Sequence, residues 1–147
     1  LSLKKLGAQL ETNFRPLAEV NQVELEFLIQ GDQALSLYAD PDRLRQILYN
    51  LLGNAFAHTP PGGKVELTAK EKQGKIQLII SDTGPGIPPE DLPLIFSRYW
   101  RGKNKKKDGL GLGLAISRAL ARASGGELVA QNRPGGGAQF ILTLPKE

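Results

Sequence analysis

Segments with strand patterns occur in pairs along this chain, and segments with helical patterns separate the pairs. Apolar and polar residues alternate in six short segments: 23–29 and 35–38, 64–70 and 75–80, and 127–131 and 139–144. A parallel doubly wound fold would instead require single strands to alternate with single helices. The paired order therefore predicts an α+β fold, a two-layer α/β sandwich in which helices cover one face of a mostly antiparallel mixed sheet.

Three segments carry apolar residues at the three- and four-residue spacing of amphipathic helices: 3–20, 41–58 and 111–123. Pro16 leaves the end of the first helix open, because proline lacks the N–H that a helix interior uses. Asp40 is predicted to cap the second helix, with Pro41 in its first helical position. A short helical turn is predicted over 89–96, and the polar, basic residues that follow it are predicted to be mobile.

The length of 147 residues fits one domain spanning 1–147, which is large enough to bury a core. No apolar run reaches the about 18 residues needed to span a bilayer, and no signal-peptide pattern is present. Cysteine is absent, which excludes disulfides and thiolate metal sites and agrees with a reducing compartment. Because residue 1 is not methionine, we expect the chain to be a piece of a longer protein.

Much of the net charge of +4 comes from the segment 101–107, in which five of seven residues are basic. Such a segment forms either a solvated loop or a basic lid near phosphate groups. Nucleic-acid binding is the weaker interpretation, because no aromatic residues alternate with the lysines. We therefore expect no nucleic-acid partner.

Three polar residues, Asn50, Asn54 and His58, recur at every fourth position of the second predicted helix, so they share one face. The Asn54 amide oxygen suits a magnesium ion that completes its shell with phosphates and water, and Asn50 could hold a metal-bound water. The alternatives are a cap or a solvated face for the asparagines, and an interaction with the helix dipole for His58. Asparagine is unfavourable within a helix, which favours a polar ligand.

Two glycine loops follow, at 81–87 and 109–113. In the first, Asp82 ends an apolar strand and could accept a hydrogen bond from an adenine amino group, while Gly84 and Gly86 permit a tight turn. A plain surface turn is the alternative. The second loop precedes a helix, so its backbone amides could face phosphates, yet it matches neither the dinucleotide-binding fingerprint nor the P-loop. Together with the polar helix face, these loops predict a site for ATP and a divalent metal.

These segments resemble the catalytic ATP-binding domain of sensor histidine kinases, within the superfamily that includes gyrase, Hsp90 and MutL. Residues 50–55 resemble its N box, 82–87 its G1 box, 95–101 its F box and 108–116 its G2 box. Residues 135–145 resemble its closing strand, and the boxes occur in the family's order. The resemblance covers essentially the whole chain.

The resemblance implies a Bergerat fold with an ATP lid over about 97–110, with Asn54 as the Mg²⁺ ligand and Asp82 as the adenine-reading residue. Arg98 and Arg101 would lie beside the phosphates, with Arg101 and Asn50 as the catalytic residues. Tyr99 and Trp100 are more readily explained as core anchors. The ATP-binding residues implied are Asn50, Asn54, His58, Asp82, Gly84, Gly86, Ile87, Arg98, Tyr99, Arg101, Gly109, Leu110, Gly111, Leu112, Gly113 and Leu114.

Asn50 stands where hydrolytic members of the superfamily carry a glutamate, and an amide cannot act as a general base. The resemblance therefore implies transfer of the γ-phosphoryl group of ATP to a histidine on a separate dimerisation and phosphoacceptor domain of the same protein, for relay to a response regulator. We expect a soluble, monomeric, cytoplasmic domain, whether or not the parent protein is membrane-bound. A serine protein kinase of the anti-sigma-factor type and a non-catalytic nucleotide-binding module are the alternatives.

Three features qualify the resemblance. Ala57 stands where the family usually has lysine or arginine, near the phosphates. Ala138 stands where the family usually has serine or threonine, so we expect one hydrogen bond near the adenine to be missing. The only histidine, His58, lies within the N box, so we expect no autophosphorylation of this chain alone.

Overall fold

A computed structural model describes residues 2–29, 39–97 and 113–146. Its helices are α1 (Leu3–Asn21), α2 (Pro41–His58) and α3 (Gly113–Ala123). Its strands are β1 (Glu24–Ile29), β2 (Lys64–Lys72), β3 (Lys75–Asp82), β4 (Glu127–Asn132) and β5 (Ala138–Pro145). The strand predicted over 35–38 and all of the predicted lid except Ser97 lie outside the described residues. The other predicted helices and strands are confirmed to within two residues at each end where described.

The five strands form one mixed sheet in the order β1-β2-β3-β5-β4. Among the strand pairs of the described residues, β1 and β2 pair in parallel and the other three pairs are antiparallel. The β2–β3 hairpin closes through Gln73 and Gly74, which both have positive φ (54° and 77°), as the favoured two-residue turn requires. The predicted mostly antiparallel sheet is therefore confirmed.

One face of this sheet is buried and the other is partly exposed. Along β2, Val65, Leu67 and Ala69 are buried, while the residues between them are half-buried and mostly polar. Burial alternates in the same way along β5 and along β3 as far as Ile80, and the buried apolar residues of both strands join one core with residues of the three helices. This burial pattern is that of a two-layer sandwich with helices on one face.

Helix α1 continues through Pro16 to Asn21, beyond the point where the sequence left its end open. Proline removes one helical hydrogen bond, but Phe14 and Ala18 on either side of it are buried in the core. Burial of this apolar stripe offsets the lost hydrogen bond. The helix ends at Asn21, and the left-handed backbone of Gln22 (φ 56°) caps it.

Helix α2 begins as predicted, with Asp40 as its cap. The Asp40 carboxylate accepts from the backbone N–H groups of Asp42 (2.8 Å) and Arg43 (3.2 Å). The apolar stripe of α2 packs on the sheet with at most 1% exposure; its members are Leu44, Ile47, Leu48, Leu51, Leu52 and Ala55. Because this stripe fixes the rotation of the helix, the polar face of α2 lies beside the core instead of within it.

Candidate functional site

The polar residues predicted on α2 lie on one half-buried face of the helix. Asn50, Asn54 and His58 each retain partial exposure, next to fully buried neighbours. No hydrogen bond joins the Asn54 side chain to another residue within the described parts of the chain. The role of Asn54 as a metal ligand therefore stays a prediction.

His58 is fixed by its own helix. Its Nδ1 lies 2.8 Å from the backbone carbonyl of Asn54, and because a carbonyl only accepts, Nδ1 carries the proton in this contact. This is the last-turn interaction with the helix that the sequence left open as the alternative for His58. The ring also lies near Asp82, whose carboxylate its positive form would stabilise.

Asn50 connects α2 to α3. Its Nδ2 donates to the Ser117 hydroxyl (2.9 Å), and Ser117 is only 2% exposed. A Cβ on Gly113 would lie 2.5 Å from Asn50 Oδ1, so only glycine allows the start of α3 to approach this side chain so closely. Sequence reasoning missed Ser117; its signal was a polar residue in the apolar stripe of α3, between Leu114 and Ala121.

Asp82 lies at the end of β3 and is 4% exposed. Its Oδ1 accepts from the backbone N–H of Gly84 (2.9 Å) and, at a longer 3.4 Å, from that of Ala138. Among the described residues, no hydrogen bond ends on Oδ2. Burial raises the pKa of Asp82, and the two backbone N–H groups and the nearby charges of His58 and Arg133 partly counteract that rise.

The loop after β3 requires the glycines that the sequence singled out. A Cβ on Gly84 would lie 2.4 Å from the backbone oxygen of His58, so this loop packs directly against the end of α2. Gly86 has φ 82°, and a Cβ there would lie 2.9 Å from Asn132 Oδ1. Ile87, which follows, is half-buried. The Asp82 loop and the polar face of α2 therefore form one continuous wall.

Two residues that the sequence did not indicate, Asn132 and Arg133, hold this loop from the β4–β5 turn. Asn132 makes two hydrogen bonds to the backbone of Ile87. Arg133 donates from Nη1 to the backbone carbonyl of Asp82 (3.2 Å). The only local signal for either residue is its position at the end of β4, before the glycine-rich turn.

The segment that resembles the F box is anchored in the core. Ile95 is 2% exposed, and Phe96 packs edge-to-face on Phe140, with ring centroids 6.5 Å apart. The Arg118 guanidinium of α3 lies 4.8 Å from the centre of the Phe96 ring. Of the remaining predicted site residues, Gly113 and Leu114 open α3, whereas Arg98, Tyr99, Arg101, Gly109, Leu110, Gly111 and Leu112 lie outside the described residues.

The described residues could bind a magnesium ion at this site only if a nucleotide supplied further oxygen ligands. In the part of the chain that the structure describes, no three histidine, aspartate or glutamate residues lie close enough to hold one metal ion. A single amide oxygen, from Asn54, is a suitable hard ligand for Mg²⁺ when phosphate oxygens and water complete the octahedron.

None of the helices within 2–29, 39–97 and 113–146 is both long and apolar enough to cross a membrane.

Comparison with known proteins places this architecture in a family. Residues 39–147 match the family model described as histidine kinase-, DNA gyrase B-, and HSP90-like ATPase. The adaptive-response sensory kinase SasA of Synechococcus elongatus is 42% identical over 145 residues, which are 97% of this chain and 36% of SasA. The chain thus spans about a third of the length of this relative.

Solved structures agree. The catalytic domain of histidine kinase ThkA superposes with a TM-score of 0.88 at 30% identity, covering 99% of this chain and 95% of that domain. Full-length ShkA in complex with AMPPNP gives a TM-score of 0.87 at 33% identity, over 99% of this chain and 30% of ShkA. ThkA in complex with the response regulator TrrA gives 0.83 at 27% identity, over 100% of this chain and 41% of that one. The chain therefore belongs to the histidine kinase-, DNA gyrase B- and HSP90-like ATPase family, as an ATP-binding domain of the histidine kinase type.

Proposed function

We propose that this chain presents Mg-ATP to a histidine on a separate dimerisation and phosphoacceptor domain of the same protein, from which a response regulator takes the phosphoryl group. The observation that carries the proposal is the wall formed by Asn50, Asn54 and His58 together with Asp82, joined where Gly84 meets the His58 carbonyl. The complexes of ShkA with AMPPNP and of ThkA with TrrA support it. In this proposal, residues 1–147 form one catalytic ATP-binding domain.

The adenine is assigned to the Asp82 end of this wall. Oδ1 is already engaged by two backbone N–H groups, so Oδ2 would accept from the adenine amino group. A guanine would place a carbonyl oxygen there, which a carboxylate repels. Gly84, Gly86 and Ile87 would line the same pocket, because their backbone follows directly from Asp82.

The phosphates are assigned to the Asn54 side of α2. Asn54 would supply one oxygen ligand to Mg²⁺, which, when bound, offsets negative charge on the phosphates. The resemblance to histidine kinases adds Arg98, Tyr99, Arg101 and the glycine-rich segment from Gly109 through Leu114 to the nucleotide site. Arg101 would offset the charge that develops on the transferred group.

Asn50 favours transfer over hydrolysis. Its amide cannot remove a proton from water, and its Nδ2 is already used by the Ser117 hydroxyl. Without a general base, water is a poor nucleophile at this site. The phosphoryl group would therefore await an acceptor brought from outside this chain.

Magnesium-dependent nucleotide binding tests the proposal first. Calorimetric titration of this chain with ATP should show binding with Mg²⁺ and weaker binding with EDTA, and Asn54→Ala should remove the difference. Gln46→Ala, an exposed position on the same helix, serves as the control. Equal ATP affinity in the Asn54→Ala variant and the parent would remove Asn54 from the metal site.

The acceptor is tested separately in the full-length protein. After incubation with γ-labelled ATP, label on histidine is lost in acid, whereas label on serine survives it. Acid-labile label supports the proposed histidine kinase. Acid-stable label would favour the serine kinase alternative, and steady release of phosphate without labelling would indicate a hydrolase.

A further inference from the structure

We propose that Asn132 is a positioning residue that holds the loop after β3 in the shape with which Asp82 selects adenine. This inference rests on the proposed function, because it concerns the adenine end of that site. Asn132 belongs to the end of β4 and lies 45 residues from the loop that it contacts. It would act through the backbone of Ile87 and would not itself touch the nucleotide.

The contact is reciprocal. The Ile87 backbone N–H donates to Asn132 Oδ1 (2.7 Å), and Asn132 Nδ2 donates to the Ile87 carbonyl (2.8 Å). A carboxamide is planar and carries one acceptor and one donor group, so it can pair with both the N–H and the C=O of a single residue, as a residue of a neighbouring strand would. Both distances are those of well-formed hydrogen bonds.

The absence of a side chain at Gly86 leaves room for the Asn132 amide beside the loop. Gly86 has φ 82°, and a Cβ at that position would lie 2.9 Å from Asn132 Oδ1. The same Cβ would lie 3.3 Å from the backbone oxygen of Gly137, in the turn that follows Asn132. A side chain at residue 86 would therefore displace the clamp, which gives this glycine a second reason besides its positive φ.

The β4–β5 turn also holds the other end of the loop. Arg133 donates to the Asp82 carbonyl, and the Ala138 N–H reaches Asp82 Oδ1. A Cβ on Gly137 would lie only 1.8 Å from the Asp82 carbonyl oxygen, so the two backbones are in direct contact. The loop is thus attached to the β4–β5 hairpin at both ends, at its start through Asp82 and at its end through Ile87.

The hydrogen bonds between Asn132 and the loop after β3 should affect selection of the base more than binding of the phosphates. A single carboxylate-to-amino hydrogen bond depends on distance and angle within narrow limits, and it is set by the Asp82 loop. The phosphate side is set by α2, which the Asn132 amide does not contact. Because Asn132 is exposed, water competes for its two hydrogen bonds and each contributes little to the shape of the loop. We therefore expect their loss to lower base discrimination by about three- to tenfold.

The test compares Kd values for Mg-ATP and Mg-ITP, because hypoxanthine places a carbonyl oxygen where adenine has its amino group. Asn132→Ala should lower the preference for ATP over ITP by about three- to tenfold and change the ITP affinity less than about twofold. Gln131→Ala is the matched control: in the part of the chain that the structure describes, this neighbouring exposed amide donates only to Gln139 across the strands (2.8 Å). It should leave the ratio unchanged.

A conservative variant separates positioning from simple folding. Asn132→Asp keeps an acceptor for the Ile87 N–H but presents a second oxygen to the Ile87 carbonyl, so it should give an intermediate ratio. In hydrogen exchange, the Ile87 N–H should be most protected in the parent, less protected in Asn132→Asp and least protected in Asn132→Ala. An unchanged ATP-to-ITP ratio in Asn132→Ala, or an equal fall in both affinities, would overturn the inference. A parent chain without preference for ATP would instead refute the proposed adenine site itself.

Discussion

The side-chain amide of Asn50 donates to the hydroxyl of Ser117, 67 residues later in the chain, across 2.9 Å. This contact joins the polar face of α2 to the first turns of α3. The close approach of Gly113 to Asn50 Oδ1 secures the same junction. The helix that carries the proposed metal ligand is thus linked to the helix that follows residues 98–112 by a side-chain hydrogen bond, in addition to the packing between the two helices.

Replacing Ser117 with alanine should destabilise the domain by about 1–2 kcal/mol, because the half-buried Asn50 amide then loses its partner. Urea unfolding followed by circular dichroism measures this change. The control is Ser124→Ala, directly after the end of α3; among the described residues, its hydroxyl donates only to the Leu120 carbonyl in the last turn of that helix (2.9 Å). Equal losses in the two variants would show that the contact between helices has no special weight.

The Asp82→Asn substitution should weaken ATP binding by about tenfold or more, since a charge-assisted acceptor for the adenine amino group becomes a neutral amide. Calorimetry on the folded variant measures the loss. Asp91→Asn, at a half-buried carboxylate in the turn segment before Phe96, is the control. If Asp82→Asn bound ATP as the parent does, adenine recognition would have to lie elsewhere.

Acid should affect ATP affinity and folding stability in opposite directions through Asp82. Burial raises the pKa of this carboxyl in the folded chain, so the folded state takes up its proton at a higher pH than the unfolded state. The stability contributed by that proton is present below the unfolded pKa and is lost as the pH rises through the folded pKa. In the proposed adenine site the ionised form of Asp82 accepts from the adenine amino group, so ATP affinity should fall as the pH drops through that same raised pKa.

The Asp82→Asn variant isolates this effect, because every other titrating group is shared with the parent. The difference in free energy of unfolding between parent and variant should shift in favour of the parent as the pH is lowered. The pH dependence of ATP affinity in this range should be smaller in the variant. A parallel pH profile for both proteins would contradict the assignment to Asp82.

Two glycines near the site should respond in opposite ways to alanine. Gly84→Ala would place a Cβ 2.4 Å from the His58 carbonyl oxygen, and we expect a loss of about 1–3 kcal/mol in stability together with weaker ATP binding. Gly53→Ala, within α2 and with nothing inside 4 Å of its Cβ, should stabilise by about 0.5–1 kcal/mol. Thermal unfolding with and without Mg-ATP measures both; a stabilised Gly84→Ala variant would contradict the described packing.

Local patterns were enough to predict the parts of this protein that depend on near neighbours in sequence. Asp40 and Pro41 mark the start of α2 because capping involves residues two and three positions away. The polar face of α2 follows from helical periodicity alone. Gly84 and Gly86 were predicted as turn residues, although what each contacts, His58 and Asn132, was not.

The residues that were missed act across the fold. Ser117, Asn132 and Arg133 meet partners 67, 45 and 51 residues away, and no local spacing encodes such a pairing. The end of α1 could not be predicted from Pro16 alone either, because burial of Phe14 and Ala18 in the core determines that the helix continues past the proline. Tertiary packing, which overrides local propensity, is what the sequence patterns could not supply.

A crystal structure of this chain with Mg²⁺ and a non-hydrolysable ATP analogue tests the central claim most directly. The account predicts the adenine amino group within about 3 Å of Asp82 Oδ2 and the cation about 2.1 Å from the Asn54 side-chain oxygen. An adenine bound away from Asp82, or a cation held by other protein groups with Asn54 unengaged, would contradict it.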